Sequence, residues 1–493
     1  MSEDARTNRP LKRPPPVQLL IPLSPQGGPL NRQVYAGLRQ AILDGTFGAG
    51  ARLPSTRDLA EQLRISRTVV VLAYEQLLAE GYVVGRGGSG TYVPEGLAAA
   101  RPAGNDPPAD IRLSRFGAYA AQTGSSAAFP QRPASPPRFD FAYGRSDVDC
   151  FPFEQWRRIL QRRARRTPIR ELDYGPATGS EALRAAICEH LKRSRAVACD
   201  PSQVIVVNGS QQALDLVARV LIEPGDAIAI EDPSYQGAKE VLRAAGARLQ
   251  PVAVDRDGLD PARLSDDARM AFVTPSHQFP TGAILPLARR QALLQWARRR
   301  NAVIVEDDYD GEFRYQGKPL ESLQGLDTEG RVVYVGTFSR TVFSSLRIGY
   351  LVVPASLLAA FTAAKWLCDR HTATLEQETL AEFIASGMYE RHLRRVRRRN
   401  EAARDVLLGA VKKHLGDRVE VTGEGAGAHI VLWPRGDMAE DAIVAAALDR
   451  GVGVYGIGGY YLRRPSPAGL LLGYSRMREA EIREGVKRLG AVI

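Results

Sequence analysis

Five short stretches in the second half of the chain carry residue types that could hold a ligand. NGSQQALDL sets Gly209, Ser210 and Gln211 between a strand-like run and a helical pattern. Backbone N–H groups at such a helix start bind a phosphate without needing a charged side chain. In EDPSYQG, Tyr235 falls on a strand-to-helix loop, where its aromatic face could stack on a planar ring. TPSHQFPTG, residues 274–282, is another strand-end loop and brings His277 and Gln278. VEDDYDGEF closes a strand with Asp307, Asp308 and Tyr309, and GTFSRTVFSSLRIGY contributes Thr337, Ser339, Arg340 and Arg347. Taken singly, each has a bland explanation as a helix cap, a packing aromatic or a loop carboxylate. Five of them in this order converge on one ligand site.

The elements that must position these loops follow from the apolar pattern. From residue 138 onward, VIVV (204–207), AIAI (227–230), MAFV (270–273), AVIVE (302–306) and VVYVG (332–336) alternate with helical stretches. That alternation predicts an α/β fold, a mainly parallel sheet covered by helices on both faces. All five loops follow a strand's C-terminal end, where open α/β sheets bind their ligands.

Residues 29–94 read as a separate compact unit, preceded by a proline-punctuated flexible tail (1–28) and followed by a Pro/Ala-rich linker (95–137) with too little apolar material for a core. Asn31 to Leu43 carries a helical stripe of Val34, Leu38, Ala41 and Ile42. LPSTRDLAEQL offers Ser55 or Thr56 as a helix cap, and after the Arg64-Ile65 turn Ser66 caps SRTVVVLAYEQLLAEG. GRGGSG between YVV and TYV then predicts a two-stranded wing, so the unit is a winged helix-turn-helix. Such a unit presents the start of its second helix to base edges while arginines and helix-end amides hold phosphates. Arg52, Arg57 and Arg67 are the candidate cations. Ser55, Thr56, Ser66 and Thr68 are the short hydrogen-bonding groups, and Gly88, Ser89 and Gly90 form a wing tip able to approach a groove. A winged helix used only for protein contacts is the competing reading.

Composition bounds these readings. With 493 residues, 44% hydrophobic and 25% charged, the chain is a globular protein of two or three folding units. No run approaches the ~18 apolar residues of a membrane span, and Met1 to Pro16 has no apolar core of a secretory signal. Cys150, Cys188, Cys199 and Cys368 show neither a CxxC pair nor zinc spacing, so a reduced, cytoplasmic chain is expected and no metal. The net charge of +11 hints at an acidic partner, but the basic excess is spread thinly over the tail and head, the linker and the body. Lysine supplies only eight of the 66 basic residues. The arginine runs at 156–166 and 391–405 sit beside apolar positions and read as solvated helix faces.

The motif GARLPSTRDLAEQLRISRTVVVLAYEQLLAEG, followed by GSGTYV, resembles the GntR family of bacterial regulators. From Phe139 to the end the chain resembles fold-type I aminotransferases, the pyridoxal phosphate class, with a smaller C-terminal α+β subdomain. The combination is similar to the MocR/GabR regulators. The resemblance implies that Ser210 and Gln211, with Thr337, Ser339 and Arg347, hold the cofactor phosphate. Tyr235 would stack on the pyridine ring, Asp307 would pair with its nitrogen, and Tyr309 would bond its phenolic oxygen. Tyr174 would reach the phosphate of a neighbouring subunit in a homodimer. DNA, as a double-stranded operator, and a small-molecule effector are the implied partners.

The chain departs from the aminotransferase pattern at the chemistry. Where the family reads S-K-T-x-F-P-x-L-R-[LI]-G-Y, residues 339–350 read SRTVFSSLRIGY, with Arg340 for the attachment lysine and Ser344 for the proline. A lysine amine can lose its proton and attack the cofactor aldehyde, whereas a guanidinium stays protonated. Leu471 stands where the family's carboxylate-clamping arginine would be, with Arg463, Arg464 or Arg476 as replacements, and Gly237 stands where the GABA-responsive member has another arginine. The expectation is a DNA-binding regulator whose body senses pyridoxal phosphate or an amine- or amino-acid-related ligand, with Arg340 pairing with the phosphate or with an anionic ligand and no transaminase turnover. The alternatives are an active pyridoxal-phosphate enzyme carrying a DNA-binding head, and a lysine-less pyridoxal- or pyridoxamine-phosphate enzyme using His277 as its base.

Overall fold

The computed structural model describes residues 21–96, 111–125, 136–144, 146–168, 173–315, 321–463 and 466–493. Two compact units result, divided at Arg112 and Leu113. Residues 1–20 of the expected tail, much of the expected linker and Arg464 lie outside the described residues.

The first unit is built from α1 (Leu30–Leu43), α2 (Thr56–Leu63), α3 (Arg67–Ala79) and an antiparallel hairpin of β1 (Val84–Arg86) and β2 (Gly90–Tyr92). Its helices form because apolar residues recur every three or four positions and bury on one side. Val34, Leu38 and Ile42 of α1 meet Leu59 of α2 and Val70, Ala73 and Leu77 of α3. Ser55 caps α2, its hydroxyl accepting from the Asp58 N–H at 3.2 Å. Arg64, in the left-handed region at φ 54°, ends α2 and turns the chain into α3 within three residues. The Tyr74 hydroxyl donates to the Pro54 carbonyl at 2.8 Å and pins α3 to the segment before α2. At the hairpin, Gly90 has φ 124°, and a Cβ there would lie 2.7 Å from Arg52 Nε.

The second unit has an eight-stranded sheet in the order Val204–Val207, Gly349–Val352, Val332–Thr337, Val303–Asp308, Ala268–Val273, Ala227–Asp232, Arg248–Asp255, Gly258–Leu259. Gly349–Val352 and the terminal Gly258–Leu259 run antiparallel to their neighbours; the other strands share one direction. All five strands expected from the apolar runs are present, and their ends fall within two residues of the runs. Alternation along each strand feeds two cores. Val305, Val333 and Val335 face the helices Ser210–Leu221 and Leu358–Asp369, while Ile304 and Val332 face Leu287–Arg300. A second, antiparallel sheet of Val419–Thr422, His429–Pro434, Leu470–Gly473 and Tyr455–Gly456 forms the smaller C-terminal part.

One element was not expected. Within the linker, α4 (Arg115–Ser125) is a helix packed on Gln236–Ala244, with the Tyr119 hydroxyl bonded to Glu240. Its Arg115 guanidinium occupies the space a side chain at Gly246 would need. The sequence hid it because alanine, glycine and serine give it little apolar contrast. The arginine runs do behave as helix faces. Arg163 pairs with Glu378 and Glu382, and Arg397 donates to the Glu312 carbonyl.

Because Leu59 is fully buried between α1 and α3, Leu59→Ala should destabilise the first unit by about 2–5 kcal/mol. Hydrogen exchange followed by mass spectrometry should then show faster exchange across residues 30–93 and unchanged protection of the strands between 204 and 352.

Candidate functional site

The helix Ser210–Leu221 starts at the C-terminal end of the strand Val204–Val207. Its cap residue, Gly209, has φ 83°, and among the described residues no side chain caps the first N–H groups of the helix. Arg347, itself at φ 54°, lays its guanidinium over this turn. A Cβ at 209 would lie 2.6 Å from its Nη2, which donates to the Asn208 carbonyl at 3.1 Å. Thr337 Oγ1 accepts from the Ser339 N–H at 3.1 Å and lies 3.1 Å from the Ser339 hydroxyl. Gln211 donates to the Gly237 carbonyl at 3.3 Å. The result is a helix start with positive partial charge, one guanidinium and two hydroxyls, a donor set suited to a phosphate.

Asp307 and Asp308 end one strand on opposite faces. Asp308 is engaged by the buried Arg195 at 2.6 Å and by the Tyr334 hydroxyl at 2.6 Å. Asp307 is also buried, but its Oδ1 has no hydrogen-bond partner among the described residues. Burial pushes the Asp307 carboxyl up to about 7; the negative charge of Asp308 adds to this, and Arg340 opposes it. A buried carboxyl of this kind wants a cationic N–H, such as a protonated pyridine nitrogen. Tyr235 caps the next helix with its ring against Gly237, where an added Cβ would come within 2.5 Å of the ring. Burial raises its phenol, and the charges of Asp307, Arg340 and Arg347 all reach it. Ser210, Gln211, Tyr235, Asp307, Thr337, Ser339 and Arg347 are therefore drawn around one end of the sheet, and together they fit a phosphorylated aromatic base.

Other expected residues are turned differently. The Tyr309 hydroxyl donates to the His277 carbonyl at 2.8 Å, and His277 Nδ1 faces Asp310 at 3.1 Å. His277, Asp310 and His429 are all buried and offer ligand-type atoms within 4.8 Å of one another, a grouping that the spacing along the chain did not reveal. Tyr174 is 74% exposed, with the Arg370 guanidinium 4.9 Å from its ring centre. It contributes nothing to the site of its own chain. Leu471 is buried with Phe279, Val431 and Ile457, and Arg463 donates to the Pro251 carbonyl at 2.7 Å. Arg340 stacks on Tyr143 with its guanidinium carbon 4.6 Å from the ring centre, and it makes no ion pair among the described residues.

On the first unit, Arg52, Ser55, Arg57, Ser66, Arg67, Thr68, Gly88, Ser89 and Gly90 are all exposed, and Thr56 is half-buried. Arg67 Nε donates to the Thr56 hydroxyl at 3.2 Å, joining the starts of α2 and α3. The Ser89 hydroxyl lies 2.7 Å from the Tyr92 hydroxyl. The first turn of α3 holds no acidic residue. Two further exposed cations went unnoticed in the sequence: Arg64, at the turn, and Arg86, stacked 5.0 Å from the Tyr92 ring centre. Their signal was an arginine at the turn and another at the wing.

Comparison with known proteins extends these observations. Residues 141–489 match the family of aminotransferases class I and II, and residues 30–93 match the bacterial regulatory proteins of the gntR family. The chain is 40% identical over 468 residues to the probable rhizopine catabolism regulatory protein MocR of Rhizobium meliloti, covering 94% of this chain and 93% of that protein. It is 30% identical to the pyridoxine biosynthesis transcriptional regulator PdxR of Corynebacterium glutamicum, covering 92% and 93%. Among solved structures, the α-aminoadipate aminotransferase LysN of Thermus thermophilus, complexed with N-(5'-phosphopyridoxyl)-L-leucine, is similar. It superposes with a TM-score of 0.68 at 29% identity, covering 77% of this chain and 98% of that one.

The Asp307 carboxyl gives a pH prediction. Its native value of about 7 lies above the ordinary 3.8, so between these values the folded chain holds a proton that the unfolded chain has released. Stability from this group is therefore lost as pH rises through that window. Asp307→Asn should raise the melting temperature of ligand-free protein at pH 8 by roughly 2–4 °C or more and leave it nearly unchanged at pH 4. Scanning calorimetry at the two pH values checks this.

Proposed function

The chain belongs to the MocR/GabR branch of gntR-type transcriptional regulators, and from that premise we propose that its aminotransferase-like body binds pyridoxal phosphate without covalent attachment and without turnover. Arg340, in the position of the attachment lysine, is the observation that carries this reading. Pyridoxal phosphate supplies an electron-withdrawing ring and a reactive aldehyde. The groups at the start of helix Ser210–Leu221, with Thr337, Ser339 and Arg347, hold its phosphate. Asp307 holds a proton on the ring nitrogen, and that pairing relieves the burial of its carboxyl. Tyr235 covers the ring, and Tyr309 and His277 flank it. A guanidinium, unlike an amine, neither attacks an aldehyde nor shuttles protons, so Arg340 supplies no covalent step. PdxR, a relative of this chain, is a pyridoxine biosynthesis transcriptional regulator, which agrees with a ligand of this class.

The regulator acts in the cytoplasm as a homodimer. Tyr174, Trp366 and Leu367 are exposed apolar groups on the second unit, 74%, 51% and 76% accessible, and a second copy of the chain covers them. Each winged head grips duplex DNA through Arg52, Arg57 and Arg67, the hydroxyls of Ser55, Thr56, Ser66 and Thr68, and the wing tip at Gly88, Ser89 and Gly90. A ligand changes the operator complex only through its differential affinity for two states of the body.

Footprinting on the DNA around the protein's own gene tests the regulatory reading. Protection that changes with pyridoxal phosphate, together with no keto acid formed from any amino acid, is expected. Turnover would contradict it. Arg67→Ala should weaken operator binding by about 1–3 kcal/mol, and for a lost phosphate contact the slope of affinity against salt should fall by about 1.

A further inference from the structure

Two buried histidines of the second unit each keep one bare ring nitrogen. His277 stands in the loop after the strand Ala268–Val273, and His429 opens the strand His429–Pro434 of the smaller antiparallel sheet. Their ring centres are 4.9 Å apart. His277 Nδ1 faces the Asp310 carboxylate at 3.1 Å. A carboxylate only accepts, so Nδ1 carries the proton and Nε2 keeps its lone pair. His429 Nε2 lies 2.9 Å from the Pro280 carbonyl, which also only accepts, so here Nδ1 keeps the lone pair. Both bare nitrogens, His277 Nε2 and His429 Nδ1, are buried without a hydrogen-bond partner among the described residues. Asp310 is buried with them, and the three side chains offer ligand-type atoms within 4.8 Å of one another. Two glycines at φ 76° let the backbone close on this group. An added Cβ would lie 3.0 Å from His277 Nε2 at Gly282 and 2.7 Å from Asp310 Oδ2 at Gly427.

We propose that His277, Asp310 and His429 form a metal site for one divalent ion of the zinc or cobalt class. Buried imidazole nitrogens that lack a proton are ligands as they stand, with no proton to displace. Asp310 holds His277 in the tautomer that leaves Nε2 bare and supplies negative charge against the dication, as carboxylates behind metal-bound histidines do. Imidazole nitrogen with a single carboxylate suits zinc and cobalt. Magnesium and calcium ask for oxygen ligands, and copper(I) for sulfur. Metal–nitrogen bonds are about 2.0–2.1 Å long, so the three side chains draw together on loading. The ion then ties a loop at the end of the large sheet to the smaller sheet, and loading stabilises the second unit. This site does not rest on the pyridoxal phosphate reading, because it uses no ligand of that class.

The test is titration of the full-length protein with zinc, cobalt and magnesium chlorides after dialysis against a chelator, with no pyridoxal phosphate added. Zinc should bind at one ion per chain and raise the melting temperature, with magnesium at least about tenfold weaker. Cobalt should give visible d–d bands without the near-ultraviolet charge-transfer band of a thiolate ligand. Asp310→Asn and His429→Gln should each weaken cobalt about tenfold or more. Cys188→Ser should not, which separates this site from the buried Cys188 and Cys199 sulfurs, 3.2 Å apart. The cobalt spectrum of the unmutated protein decides the matter even where a variant fails to fold. No cobalt band, a thiolate band, magnesium binding as tightly as zinc, or affinity that survives both variants would overturn the proposal.

Discussion

A carboxyl group held in the protein interior without a partner is expensive, and the second unit is organised around one. Asp307 sits at the end of a central strand, where backbone pairing to Val335 fixes its position. Its neighbour Asp308 takes the buried Arg195 and the Tyr334 hydroxyl. Arg340 reaches Asp307 through its charge alone, and Asp307 Oδ1 has no hydrogen-bond partner among the described residues. The uncapped helix start at Gly209 and the Arg347 guanidinium lie on the same end of the sheet. A carboxylate oxygen without a partner among the described residues and a set of phosphate-type donors thus lie at one end of the sheet.

Arg340 adds charge to this site while removing chemistry from it. Its field reaches Asp307, Tyr143 and Tyr235, so it can steady an anionic ligand. Its guanidinium stacks on Tyr143. On the function proposed above, Arg340 closes the covalent route and leaves a cation beside the ligand. Leu471 is buried with Phe279, Val431 and Ile457, so it presents only apolar surface there.

Much of this was legible in the sequence because buried parallel strands are short apolar runs and their loops carry the polar residues. The five strands and the convergence of Ser210, Asp307, Thr337 and Arg347 follow from that pattern. The winged unit was legible for a different reason, since its caps, turn and glycine-rich wing are local signals. What escaped is non-local. Arg195 reaches Asp308 from a segment more than a hundred residues away, and nothing around it marks a site. Apart from the family resemblance, the residues alone did not separate Asp307 from Asp308, because their difference depends on Arg195 arriving from another helix. The helix α4 was missed because weakly apolar residues give no clear period, and its order depends on packing against Gln236–Ala244.

How the body holds pyridoxal phosphate separates a sensor from an enzyme. The direct measurement adds it to the full-length protein, reduces one half with borohydride, dialyses both halves and analyses the peptides by mass spectrometry. Saturable binding at an Asp307-dependent site, with the ligand lost on dialysis and no pyridoxyl mass on the peptide spanning 332–350, is the predicted result. A pyridoxyl-modified peptide, or no binding at all, would contradict it.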